Sequence, residues 1–322
     1  MMSARRKNIA ASVHQRLLDK ARESERPFNE LFQYYAIEWF LYRFSKSSFA
    51  ERFVLKGALM LIVWDSPVSR PTMDIDMLGK VENSIDAIIS MVREICLQEV
   101  AQDGLVFDPK SVQGERITED ADYEGVRIRF RGSLATARIT IQLDVGFGDI
   151  VIPPPELTTY PIILDFPAPR IRGYSRESTI AEKFEAMVKL GIMNSRMKDF
   201  WDIWLLSQQF DFDGKTLAEA IIKTFSIRHT AIPADPIAFT SAFMKDARKA
   251  AQWRAFLRKN RLINIPDNLE EVIKDVSIFL KPLVDSLVND KPVPAKWKAP
   301  GPWLAAMSRA SSGECFLPEH QY

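Results

Sequence analysis

Apolar positions recur at helical spacing from the start of the chain. Ile9, Val13, Leu17 and Leu18 do so across Ile9–Glu23, with Arg and Lys between them. Pro27 breaks this helix, and Asn29 is a suitable N-cap for a second one through Phe44. Leu31, Phe32, Tyr35, Trp39, Phe40, Leu41 and Phe44 make that second helix apolar around much of its circumference. It should pack under a sheet, the alternative being a surface for a partner protein. The period then changes. Phe53, Val54 and Leu55 form a short apolar run that Gly57 ends, residues 58–64 predict a short helix, and residues 72–78 alternate with a period of two. Met73, Ile75 and Met77 face one side of that strand. Thr72, Asp74, Asp76 and Leu78 face the other.

Ile85, Ile88, Ile89, Val92 and Ile95 predict an amphipathic helix over residues 84–98, and Val106-Phe107 a short strand. Residues 125–131 and 138–145 both alternate, and residues 133–136 between them suit a hairpin turn. Prolines at 153, 154, 155, 161, 167 and 169 predict an extended connection over 151–172 that ends the sheet. Thr179-Ile180-Ala181-Glu182 matches a capping box, so a helix should start there and stop at Gly191. A second helix carries residues 196–204, and a third residues 217–225. Asp235-Pro236 should open a helix reaching Lys249 that residues 251–257 continue or follow. Residues 269–287 form a further helix, kinked or interrupted at Pro282. Four later prolines among lysines predict an extended or loosely packed tail. The pattern divides the chain into an N-terminal helical segment (1–52), an α/β core (53–172) and a helical C-terminal domain (173–322).

Composition narrows the function classes. The chain has 322 residues, 47% hydrophobic and 26% charged, an ordinary globular balance. A net charge of +1 gives no global field for nucleic acid, so any such contact must be a local patch. Two cysteines far apart and three scattered histidines give no disulfide framework and no zinc ligand set. No apolar core of a signal peptide follows Arg5-Arg6-Lys7. The longest apolar run, residues 58–64, falls far short of the ~18–20 residues that span a bilayer. A soluble cytoplasmic protein is expected.

Candidate chemistry centres on carboxylates. Asp74 and Asp76 share one strand face, roughly 6–7 Å apart at Cα. Two carboxylates that close repel each other, and a divalent cation removes the repulsion. Asp144 is the lone acid of residues 138–145 and would supply a third carboxylate if that strand lay beside Asp74 and Asp76. Arg127, Arg129 and Arg131 share a face, either solvated or a basic strip for a triphosphate or RNA backbone. Asp199 and Asp202 share a helix face, and the plain reading is packed helices with surface salt bridges. Residues 245–261 are the most basic stretch and include Trp253 and Phe256. They form either a solvated helix face or a hold on an RNA backbone.

Lys56-Gly57-Ala58-Leu59, followed by Arg70-Pro71-Thr72-Met73-Asp74-Ile75-Asp76-Met77-Leu78, resembles the first motif of the AbiEii/AbiGii-type nucleotidyltransferase toxins, within the DNA polymerase β-like superfamily. Residues 143–149 resemble the family's later-strand motif. Glu182-Lys183-Phe184 with Lys198-Asp199-Phe200-Trp201-Asp202 resembles its EK…KDxxD motif. The resemblance spans roughly residues 50–206. It implies an α+β fold: a nucleotidyltransferase-type mixed sheet flanked by helices, with a mainly helical C-terminal half. It implies that Asp74, Asp76 and Asp144 hold two Mg²⁺ ions. Lys56, Gly57, Ala58, Arg70, Thr72 and Lys183 would bind the nucleotide, and Asp199 or Asp202 would orient Lys183. Ala58 stands where many relatives carry Ser, Gly or Thr, so a hydroxyl contact is missing. The implied activity is transfer of NMP from an NTP to RNA, such as the 3′ end of tRNA. The implied setting is a toxin with a cognate antitoxin, in some cases serving phage defence. The alternatives are a nucleotidyltransferase acting on a protein or small molecule, and a non-catalytic binding protein of the same fold.

Overall fold

The structure, a computed structural model, describes residues 8–66, 72–120, 123–262 and 265–304. Helix α1 (Ile9–Glu23) is capped by Asn8, whose side chain accepts from Ala11 N, and buries Val13, Leu17 and Ala21. Helix α2 (Phe28–Lys46) begins directly after Pro27, so Asn29 lies in its first turn and is not the cap. The fixed φ of Pro27 already sets the helix entry without a side-chain cap. Every α2 residue from Leu31 to Leu41 is buried. Phe40 packs on Phe107 and Phe130, and Phe44 on Phe53, which places α2 against the sheet as expected.

The next elements are β1 (Phe53–Lys56), α3 (Leu59–Val63), β2 (Asp74–Gly79) and α4 (Ile85–Leu97), then β3 (Leu105–Asp120), β4 (Tyr123–Leu134), β5 (Ala137–Phe147), β6 (Glu156–Thr159) and β7 (Arg170–Gly173). Among the described residues these seven strands form one mixed sheet in the order β3-β4-β5-β2-β1-β7-β6. β2 runs parallel to β5 and β1 parallel to β7; the other pairs are antiparallel. The β4–β5 hairpin turns at Ala135-Thr136, with Leu134 opposite Ala137.

Two expectations for this half are corrected. The strand seen at Val106-Phe107 extends to sixteen residues. A register irregularity between Asp108 and Gln113 interrupts its alternation, which hides its length from the sequence pattern. Residues 151–172 do not end the sheet, because β6 and β7 add two strands to it, with Tyr174 N donating to Leu55 O at 2.9 Å. The prolines all fall outside the two strands, where no ladder donor is needed.

The chain continues with α5 (Arg176–Leu190), α6 (Met197–Gln209), β8 (Phe212–Asp213), α7 (Gly214–Ile227), α8 (Ser241–Met244), α9 (Ala247–Asn260), α10 (Leu269–Val288), β9 (Lys296–Trp297) and β10 (Trp303–Leu304). Helix α5 starts a turn earlier than the capping pattern suggested. Ser175 caps it by accepting from Ser178 N, and Thr179 Oγ1 donates to Ser175 O. The single helix expected after Pro236 is broken into a 3-10 turn (Ile237–Phe239), α8 and α9. Thr240 and Asp246 each cap a new helix start and so interrupt the run. α10 continues through Pro282 without interruption. The tail up to Leu304 is packed: β9 and β10 join β8 in a second small sheet, and Trp297, 1% exposed, donates to Ser207 O.

The apolar core falls into two clusters. One joins α1, α2, α4 and the large sheet; the other joins the helices from α5 onward with Trp297. Among the described residues, no helix is long and apolar enough to cross a membrane.

Candidate active site

Cross-strand register assembles the site. Lys56 pairs with Asp76, Asp76 with Asp144, Asp144 with Arg127, and Arg127 with Glu115. This is one polar row across five strands. A second row beside it runs Asp74, Gln142, Arg129 and Gln113. Paired positions share a sheet face, so Asp74, Asp76 and Asp144 stand on one face. Ile75, Met77, Leu143 and Val145 fill the opposite face and are fully buried in the first cluster. That apolar anchoring fixes the register, because a slip of one residue would turn the aspartates into the core.

Gly57 ends β1 beside Asp76. Its φ is +73°, and a Cβ built there would lie 2.2 Å from Asp76 Oδ2. Residue 57 must therefore be glycine for both backbone and space. Ala58 is buried at the entry to α3, and Met60 N donates to Gly57 O. Thr72 is buried: its N–H donates to Tyr34 Oη, and its hydroxyl donates to Asp74 O at 3.4 Å. Arg70 lies outside the described residues.

Asp144 is held by Arg127. Nε and Nη2 donate to its two oxygens at 2.8 and 2.7 Å, and the carboxylate in turn raises the guanidinium's pKa. Asp74 titrates above the ordinary carboxylate range, first because it is partly buried and then because Asp144 is near. Lys198 on α6 contributes positive charge to Asp74, which brings the helical half up to this face. Among the described residues, no three acidic or imidazole side chains converge on one point as an ion cage. The donors nevertheless fit Mg²⁺ in chemistry. They are hard oxygens on adjacent strand positions, and the charge of Asp144 adds to the burial that raises the pKa of Asp74. Arg127 now occupies the Asp144 oxygens that an ion would use.

Lys183 on α5 meets both helical aspartates. Its Nζ lies 3.1 Å from Asp199 Oδ1 and 2.5 Å from Asp202 Oδ2, while Arg196 Nε lies 2.7 Å from Asp199 Oδ2. Asp199 is 0% exposed and Asp202 1%, so the surface salt bridges of the plain reading are in fact buried. The spacing of three residues aims both carboxylates at one ammonium.

Lys56, at the end of β1, is held by carboxylates from the loop after β5 and from α5. Its Nζ lies 3.1 Å from Asp149 and 3.0 Å from Glu182. Arg228, at the end of α7, pairs with Asp149, Glu182 and Glu185, and Tyr174 Oη donates to Glu182. Burial raises the Glu182 pKa, with Lys56 opposing. Asp149 lies in the loop after β5, with its side chain 3% exposed at the centre of this cluster. Arg228 and Glu185 were missed. Glu182 and Glu185, three apart on α5 and so on one helix side, were a usable signal; Arg228 had no local one.

Similarity to known proteins bears on this arrangement. Two crystal structures from Helicobacter pylori align with the chain, each at 14% identity and over 78% of it. One is of a candidate nucleotidyltransferase (92% of that chain, TM-score 0.43) and the other of JHP933 (90% of that chain, TM-score 0.44). A search of curated proteins found no match. The sequence model of the nucleotidyl transferase AbiEii toxins of type IV toxin–antitoxin systems matches residues 39–274, a span that takes in the carboxylate row, Lys183 and Arg228, and the chain is a nucleotidyltransferase belonging to that family.

Proposed function

We propose that the chain is a metal-dependent toxin that transfers a nucleoside monophosphate from an NTP to an RNA acceptor, with the 3′ end of tRNA as the acceptor class. The observation that carries the reading is the register of Asp76 with Asp144, two residues from Asp74 and beside Gly57. Asp74, Asp76 and Asp144 would hold two Mg²⁺ ions. Bound there, Mg²⁺ supplies charge neutralisation for the triphosphate and acidifies the attacking hydroxyl. The N–H groups at the Gly57 turn bind phosphate oxygens. Asp144 accepts the proton of the acceptor hydroxyl. That oxygen bonds to the α-phosphorus, the bond to the bridging oxygen breaks, and pyrophosphate leaves. Lys183, held between Asp199 and Asp202, presents a point charge towards the departing phosphates.

An RNA acceptor draws support from α9. Lys245, Arg248, Arg254, Arg258, Lys259 and Arg261 are exposed on or beside it. Its Lys249 is buried and donates to Asn194 O, next to the start of α6. The inner face of α9 thus packs beside the start of the helix that carries Asp199 and Asp202, and its basic residues line the outer face. A cognate antitoxin and a cytoplasmic role, including phage defence, go with this reading. The test is incubation with Mg²⁺, total cellular RNA and each labelled NTP in turn, beside an Asp74→Ala/Asp76→Ala protein. Label in a tRNA-sized band that the variant fails to produce supports the proposal. Label on protein, or none, overturns the RNA acceptor.

A further inference from the structure

Arg127 spans the only carboxylate of the row that lies on β5. Its guanidinium engages both oxygens of Asp144, at 2.8 and 2.7 Å. The pair is not a sealed lock, since the side chains are 29% and 15% exposed. Arg129, in the neighbouring row, is held differently, by Glu115 and Gln142. A divalent cation drawn in by three carboxylates competes directly with Arg127 for Asp144. The doubly charged ion, surrounded by several hard oxygens, wins over one guanidinium.

Strand order decides where the released guanidinium goes. The row reads β1, β2, β5, β4, so Gly57 and Arg127 stand at opposite ends of the carboxylates. Three strand spacings, roughly 14 Å, separate β1 from β4. In-line displacement puts the incoming hydroxyl opposite the leaving pyrophosphate. With the triphosphate at the Gly57 end, the acceptor comes to the β4 end.

We infer that Arg127 is a displaceable counter-ion: it neutralises Asp144 in the unloaded protein, yields that carboxylate to the cation, and then holds an anionic group of the acceptor. This rests on the metal reading of the three aspartates and adds to it a selection for acceptors that carry phosphate beside the reacting hydroxyl.

The test follows Mn²⁺ binding to the full chain by electron paramagnetic resonance, without substrate. Arg127→Met removes the internal competitor and should bind Mn²⁺ about five- to tenfold more tightly than the parent. Arg127→Lys keeps a charge but loses the fork. It should fall between the two and serves if Arg127→Met does not fold. Inorganic tripolyphosphate, titrated at saturating Mn²⁺, should bind parent and Arg127→Met alike, within about twofold, as expected of sites that do not touch. Equal Mn²⁺ affinity in parent and Arg127 variants, with Asp144→Asn weakening all of them, overturns the inference and leaves the metal site standing. Mn²⁺ binding that neither Asp76→Asn nor Asp144→Asn weakens overturns the metal site and the inference with it. A tenfold loss of tripolyphosphate affinity in Arg127→Met overturns the assignment of Arg127 to the acceptor side.

Discussion

The carboxylate of Asp76 fills the space in which a side chain at residue 57 would lie, with Oδ2 2.2 Å from the position of a Cβ. The turn that ends β1 and the acid at the middle of β2 are therefore one steric unit. Gly57→Ala must either push Asp76 aside or shift β1. The left-handed backbone alone costs about 1–2 kcal/mol for an alanine, and the clash adds to it. We expect a lower melting temperature and loss of transfer activity together. Unchanged stability in a denaturant titration would show that the turn relaxes freely.

Asp74 gives the opposite combination. Burial and then Asp144 raise its pKa in the folded protein. For an acid with a raised folded pKa, stability falls as pH rises from the unfolded to the folded value. At neutral pH the ionised group is a net burden on the fold. Asp74→Asn should therefore melt higher than the parent at pH 7, and the difference should shrink below pH 4. Its transfer activity should drop by about a hundredfold or more. Paired melting curves at the two pH values, with a labelled-NTP assay, test both halves. A lower melting temperature at pH 7 would contradict the electrostatic account.

Lys183 separates structure from chemistry. It neutralises two aspartates that are 0% and 1% exposed. Lys183→Met leaves buried charge uncompensated, which typically costs about 3–5 kcal/mol. Arg196 still pairs with Asp199, so the lower end is expected. Adding Asp202→Asn should restore most of the stability. If Lys183 serves the phosphates, the double variant folds well and stays inactive. Recovery of activity along with stability would reduce Lys183 to a structural ion.

Much of this site was legible from spacing. The period-two run placed Asp74 and Asp76 on one face. The alternation over residues 138–145 pointed Asp144 the same way, and only the neighbour relation of β2 and β5 had to come from the fold. The helix periods over Ile9–Glu23 and Ile85–Leu97 were clear because each buries a single stripe. What the sequence hid is non-local. Arg127 reads as either a solvated arginine or part of a basic strip, and its fork on Asp144 emerges only from the exact register of β4 on β5. Asp149 and Arg228 are 79 positions apart, and no local pattern connects them. The β6–β7 hairpin was masked by prolines that flank its strands without entering them. Lys56, which the resemblance assigns to the nucleotide, is ion-paired with Asp149 and Glu182, partners that no local pattern announces.

Glu38 lies on α2 and yields a prediction that concerns the fold alone. It is 4% exposed, and its carboxyl accepts from Ile163 N, at the inner side of the segment between β6 and β7. Burial raises its pKa to about 8, only partly offset by that hydrogen bond. The unfolded chain releases this proton near the ordinary glutamate value. Between there and pH 8 the folded state holds one proton more, so stability declines with rising pH, by up to about 1.4 kcal/mol per pH unit. Above about pH 8 this contribution levels off. Glu38→Gln keeps an acceptor for Ile163 N and cannot ionise. We expect it to match the parent near pH 5 and to be clearly more stable at pH 8, with a flatter profile between. Melting temperatures of the two proteins across pH 5–9 check this. Parallel profiles would mean that the Glu38 carboxylate finds compensation when ionised, which the single hydrogen bond to Ile163 does not supply.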